Sequence, residues 1–252
     1  MNWLIYITIS LTVLTACNES TGNDSARDRS SMLNNFKHST INFKDSIDQL
    51  LPGSTLQKSL IFSKDDYSFY AIRHLVDRNI YLYKEIGILG NSNFIEKRFY
   101  LKGGKLILFE LYEKNDPDSV LTWTSRNYFR KGKIVISESD QSVEHQTDEL
   151  LSSVGQNSRK ILTDLQKLRD AIYQKGDFDL VYDNFAYYPK ARYLILSNDQ
   201  INPYRAAVRI EEADDFMKMI LSHPEKYKGR KLNLKWHLRE PFEALYLSGS
   251  LD

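Results

Sequence analysis

Two stretches of this chain align without a gap, and both run through a tight glycine turn. Arg98-Phe99-Tyr100-Leu101-Lys102-Gly103-Gly104-Lys105-Leu106-Ile107-Leu108 lies over Arg126-Asn127-Tyr128-Phe129-Arg130-Lys131-Gly132-Lys133-Ile134-Val135-Ile136. Each copy reads as strand, turn, strand. Gly103-Gly104 and Lys131-Gly132 suit the positive φ angles of a two-residue hairpin. An earlier pair, Tyr67–Val76 and Ile80–Leu89, turns at Asp77-Arg78-Asn79, and Asp116-Pro117-Asp118-Ser119 joins the two repeats. About six consecutive strands joined by short turns predict an antiparallel meander.

The Tyr–x–x–x–Gly–Lys–aliphatic hairpin resembles the repeat of MORN-type proteins. The unit here is longer and no function is carried over from it. Beyond the meander, Ile161, Leu165, Leu168 and Ile172 recur at helical spacing. They predict a helix from about residue 157 or 158 to 175, capped by Ser158 and ended by Gly176, covering one face of the meander. The last part reads as strand (192–196), strand (206–210), helix (213–222), strand (231–239) and strand (242–247). In the third of these strands Leu232, Leu234, Trp236 and Leu238 alternate with polar residues. The predicted class is α+β: an antiparallel β-meander with a covering helix and a smaller C-terminal antiparallel α+β lobe. The expected segments are 39–140 for the meander, 141–190 for a helix and aromatic connector, and 191–252 for the C-terminal lobe.

The N-terminus has a different character. An apolar run from Trp3 to Leu14 leads into Leu14-Thr15-Ala16-Cys17, and Cys17 is the single cysteine of 252 residues. The run is about a dozen residues, the length of a signal-peptide core and too short to span a bilayer. These residues resemble the lipobox of bacterial lipoproteins. The resemblance implies that residues 1–16 are a signal peptide and that the Cys17 thiol carries a diacylglyceryl group. Palmitate-type chains would then anchor the mature protein in a membrane. It also implies a cell-envelope location, in the outer membrane where the cell has two, since Asn18 rather than Asp follows the cysteine. Residues 17–38 are rich in Ser, Asn, Asp and Arg and predict a lipidated flexible tether, followed by a short helix near Asp45–Leu51.

Charge and motifs narrow the chemistry. A formal net charge of +1 argues against nucleic acid as a partner. There is no Gly-x-Ser-x-Gly elbow, no His-Glu-x-x-His, and no histidine pair at i, i+4 among His38, His74, His145, His223 and His237. No cofactor, metal or catalytic residue is therefore predicted. Glu211-Glu212 and Asp214-Asp215 open a helix, where the macrodipole favours acids.

Two features suggest binding. Phe178–Pro189 holds five aromatics, and Tyr182, Phe185, Tyr187 and Tyr188 stand out as candidate ligand contacts for a glycan or peptide. The plainer alternative is a strand pair with inward aromatics. Lys231, Lys235, His237 and Arg239 form an outward basic row suited to an anionic partner. Its plainer alternative is a solvated edge strand. The expected function is a lipid-anchored envelope module that binds a protein or glycan without catalysis. An envelope inhibitor or immunity protein against a hydrolase or toxin, and a cell-wall polymer hydrolase, are the alternatives.

Overall fold

The computed structural model describes residues 21–90, 93–114, 122–139, 150–239 and 242–251. The apolar N-terminal run, Cys17 and the Asp116–Ser119 joint lie outside these residues. The chain begins with α1 (Thr21–Leu50), then β1 (Thr55–Lys58), β2 (Phe62–Lys64), β3 (Tyr67–Val76), β4 (Asn79–Leu89) and β5 (Asn93–Lys102). There follow β6 (Lys105–Lys114), β7 (Thr122–Arg130), β8 (Lys133–Ser139), α2 (Leu150–Tyr173), β9 (Val181–Tyr188), β10 (Ala191–Ser197) and β11 (Ala206–Ile210). The chain closes with α3 (Asp215–Ser222), α4 (Pro224–Tyr227), β12 (Leu232–Arg239) and β13 (Glu243–Leu251). The fold is α+β. Met1–Ser39 and Thr40–Asp252 form two compact units. Of the first, the described part is the opening of α1; everything below concerns the second.

The meander is as the repeat predicts. Strands β3 to β8 pair in sequence order, all antiparallel, with β1 and β2 both added to β3. The turn residues explain the register. Asp77 and Arg78 (φ 50 and 65°), Gly103 and Gly104 (57 and 74°), and Lys131 and Gly132 (51 and 76°) all take the left-handed backbone that a tight hairpin needs. One face of this sheet receives α2, whose Ile161, Leu165 and Leu168 are buried with Phe69, Tyr83, Phe99, Phe109 and Phe129.

The opposite face carries the polar half of each repeat. Lys84, Arg98, Glu110, Arg126 and Glu138 lie in one cross-strand row over β4 to β8. Arg98 holds Glu96 at 2.6 Å and Arg126 holds Glu110 at 2.7 Å. The Tyr100 hydroxyl donates to Asp48 and that of Tyr128 to Glu138, each at 2.9 Å. The Arg-x-Tyr shared by the repeats thus builds a ladder of matched charges, which is affordable at partial burial only because each carboxylate has its donor.

The second sheet has order β12-β13-β11-β10-β9, with β11 and β13 parallel and the other pairs antiparallel. Its two ends meet. The Tyr182 N–H donates to the Arg230 carbonyl at 2.9 Å, and the Gly229 N–H donates back to the Tyr182 carbonyl at 2.8 Å. Asp214 caps α3 by accepting from the Met217 N–H at 2.8 Å.

The two sheets share one core. Ser63 and Arg205 exchange backbone hydrogen bonds of 2.8 and 2.9 Å. Beside that bridge Phe178 packs 4.7 Å from Phe62, 4.7 Å from Tyr204 and 5.8 Å from Phe69. Strand β9, expected within the helix and aromatic connector, is an integral strand of the second sheet. Of the expected tether, residues 17–20 lie outside the described residues, and the backbone is helical from Thr21. Within the second unit, Thr40, Phe43 and Ile47 are shielded at helical spacing, too dilute to read among polar neighbours. Likewise α2 begins by Leu150, and Ser158 sits inside it rather than at its cap, accepting from the Ile134 N–H at 3.1 Å.

His74 on β3 gives a pH handle on this unit. Ser54 donates its hydroxyl to the Leu51 carbonyl at 2.8 Å, so the contact of 2.9 Å between Ser54 Oγ and His74 Nδ1 assigns the proton to Nδ1. Nε2 is buried without a hydrogen-bond partner among the described residues. Burial, reinforced by Lys84 on β4 and only partly opposed by Asp48 of α1 and Glu96 of β5, pushes the imidazole down to about 4. The unfolded chain then binds the proton more readily, so stability falls as pH drops from about 6.5 towards 4. His74→Gln is expected to flatten that slope, by on the order of 1–3 kcal/mol over the window. Urea midpoints measured at pH 7 and pH 4.5 check this; parallel decline of both proteins would contradict it.

Candidate functional site

Strand β9 ends one side of the second sheet. Past Tyr182, none of the described residues pairs with its outer edge. Its side chains divide between the two faces. Tyr182 is buried, 5.3 Å from Phe185, which in turn lies 6.3 Å from Tyr187. Tyr182 is thus a core residue, which corrects its expected role as a ligand contact, and Phe185 is half-buried against the same core. Tyr187 and Tyr188 are each 65% exposed. Neither hangs loose: the Arg192 guanidinium stacks 5.5 Å over Tyr187, and Tyr188 meets Tyr193 edge-on at 5.8 Å. Arg192 Nε is buried with no hydrogen-bond partner among the described residues.

The basic row stands where alternation puts it. Leu232 and Leu234 are buried, and Lys235, His237 and Arg239 are exposed. Its two ends are neutralised. Lys231 pairs with Asp179, and Arg239 forks onto Glu211 at 3.0 and 3.2 Å. Arg209 joins through Glu243 at 2.9 Å. Lys235 and His237 are left facing solvent.

Register brings Tyr188 and the basic row to one face, whereas Tyr187, paired with Arg192, lies on the other. His237, Leu245, Arg209, Tyr193 and Ala186 are successive partners across all five strands. On that face Tyr188, Tyr193, Ile195, Ala186, Ala191 and Ala207 line a shallow depression of about 300 Å³. An aromatic, mildly apolar floor at one edge and basic side chains at the other give a surface that stacks and hydrogen-bonds.

A second cluster went unread in the sequence. Glu85 on β4 is fully buried; its Oε1 accepts from Lys97 of β5 at 2.9 Å and from the Tyr67 hydroxyl at 2.5 Å. Lys97 also meets Asp164 of α2 at 3.1 Å. Lys167 of α2 stands 3.7 Å from Glu85 Oε2, with its ammonium 3.8 Å from the Phe69 ring centre and 5.3 Å from that of Tyr67. Gly87 makes this possible, because a Cβ there would collide with the Tyr67 ring as it reaches across to Glu85. Burial alone would raise the Glu85 carboxyl, but Lys97, Lys167 and the Tyr67 hydroxyl together hold it below the usual carboxylate range. Burial, aided by Lys97, pushes Lys167 below the usual lysine range despite Glu85. The available signal was a charge at an inward strand position, Glu85 between Tyr83 and Gly87 and Lys97 between Ile95 and Phe99.

Two of the acids around the start of α3 are engaged: Glu211 in the Arg239 fork, and Asp214 in the α3 cap and a 2.8 Å bond from the Tyr246 hydroxyl. Among the described residues no group of three His, Cys, Asp or Glu is placed to hold a metal ion, and no helix is long and apolar enough to cross a membrane. No protein-family model, no curated protein and no solved structure matches this chain significantly, so its chemistry is argued from its own side chains.

Proposed function

We propose that this chain is a lipid-anchored binding module of the bacterial cell envelope, held through Cys17 and presenting the aromatic end of β9 to a protein or glycan. The observation that carries this reading is the pair Tyr187 and Tyr188, each 65% exposed yet braced by Arg192 and Tyr193. Large aromatic rings held rigidly in water are costly to leave uncovered and lose little conformational entropy when covered. The anchor supplies the location, and the lipobox resemblance of Leu14-Thr15-Ala16-Cys17 supports it.

The test uses the full-length, detergent-extracted protein. Wild type and the Tyr187→Ala/Tyr188→Ala double variant are compared for co-sedimentation with purified cell-wall sacculi and for retention of envelope proteins. Removing two aromatic anchors is expected to weaken capture by about 10- to 100-fold. The urea midpoint should stay unchanged, because both rings are exposed. Undiminished capture by the double variant overturns the assignment of this surface.

A further inference from the structure

A cleft of about 750 Å³ runs along α2, bounded at one end by the β7–β8 turn at Gly132–Lys133 and at the other by Asp177–Phe178. Its size falls within the range of small-molecule sites. From Arg159 to Asp170 the helix rises about 16 Å at 1.5 Å per residue, so the cleft is elongated. Its apolar lining comes from Ile134, Leu162 and Phe178. Leu162 is 37% exposed although it sits one helical turn from buried Ser158 and Leu165.

The charges in the cleft are unevenly matched. Asp170 already accepts from Gln166 at 2.9 Å, and Asp177 accepts from Gln200 at 3.4 Å. Lys167, also in the lining, is committed to Glu85 and the Phe69 ring. The side chains of Lys133 and Arg159 make no ion pair or hydrogen bond among the described residues. The hydrogen bond from the Ile134 N–H to Ser158 Oγ sets these two cations at the same end. An apolar trough with two unmatched cations at its head has the polarity of a site for an amphipathic anion.

We propose that this cleft binds an amphipathic organic anion, with a carboxylate or phosphate head between Lys133 and Arg159 and an apolar body laid along Leu162 towards Phe178. The site is separate from the aromatic end of β9 and does not depend on the role given to it.

Full-length protein, ¹³C-labelled at Ile and Leu methyls, is titrated with laurate, with dodecyl phosphate and with dodecanol, each below its aggregation concentration. Saturable shifts at the Ile134 and Leu162 methyls are expected with both anions, and at least tenfold weaker binding with dodecanol. The ranking of laurate against dodecyl phosphate names the head group. Lys133→Ala/Arg159→Ala should weaken laurate binding at least tenfold, and Leu162→Glu should abolish it, with unfolding midpoints unchanged. Tyr187→Ala/Tyr188→Ala should leave it unaltered, which separates failure here from failure of the β9 surface. The proposal is overturned if neither anion shifts these methyls, if dodecanol binds as tightly as laurate, or if the double cation variant binds laurate as wild type does.

Discussion

Lys97→Met is expected to destabilise the protein by about 3–5 kcal/mol at pH 7, the usual effect of stripping one partner from a buried ion pair. Glu85 has no exposure to share its charge with water. Its remaining cation, Lys167, lies 3.7 Å away on the other oxygen, and that oxygen has no hydrogen bond among the described residues. For a domain of this size the thermal midpoint should drop by roughly 6–20 °C. The pH dependence separates a charge effect from a packing effect. In the wild type the Glu85 carboxyl is held low, so its contribution is present above the ordinary carboxylate range and is lost as pH falls through the depressed value. In Lys97→Met the same carboxyl is buried with too little compensation, its affinity for a proton rises, and acid relieves the penalty. The two unfolding free energies should therefore converge between pH 7 and pH 4.5. A deficit of constant size across that range would mean that Lys97 acts through its alkyl stem alone. Adding Glu85→Gln to the variant should recover part of the loss at pH 7.

The other large effect is expected at the seam between the sheets. Phe178 is buried and touches Phe62 and Phe69 of the meander and Tyr204 of the second sheet's long loop. Phe178→Ala should cost about 3–5 kcal/mol, because a cavity there is walled by three other rings that cannot collapse without moving both sheets. Its distinguishing consequence is where the loss is felt. Amide exchange should accelerate in β3 and in β10 and β11 together, and denaturation should remain a single transition. If only the second sheet lost protection, or two transitions separated, the sheets would not share the core described above.

The parts of this fold that were legible in the sequence are those encoded locally. Hairpin turns show because Gly103-Gly104, Lys131-Gly132 and Asp77-Arg78 sit where the left-handed backbone is needed. The α2 stripe of Ile161, Leu165, Leu168 and Ile172 and the β12 alternation show because apolar residues recur there at the period of the element. What escaped was encoded at a distance. β1 and β2 are too short to carry a period. The parallel pairing of β11 with β13 has no sequence signal of its own. In β9 nearly every position is bulky, and a register shift opposite Ile195/Leu196 moves Tyr182 inward. The aromatic segment was therefore found but its buried member was not. The basic row was read correctly as outward, yet its neutralisation by Asp179, Glu211 and Glu243 depends on partners 4 to 52 residues away. The Glu85 cluster joins four separated segments and the cleft three, and no window of neighbouring residues contains either.

The aromatic seam also orders events during synthesis. Phe62 and Phe69 leave the ribosome early, whereas Tyr204, which completes their packing, follows Phe69 by 135 residues. At roughly 5–20 residues per second the meander waits about 7–27 s with that side uncovered. A nascent chain halted after β8 would therefore expose phenylalanines that the finished protein hides, and would be a natural substrate for chaperones.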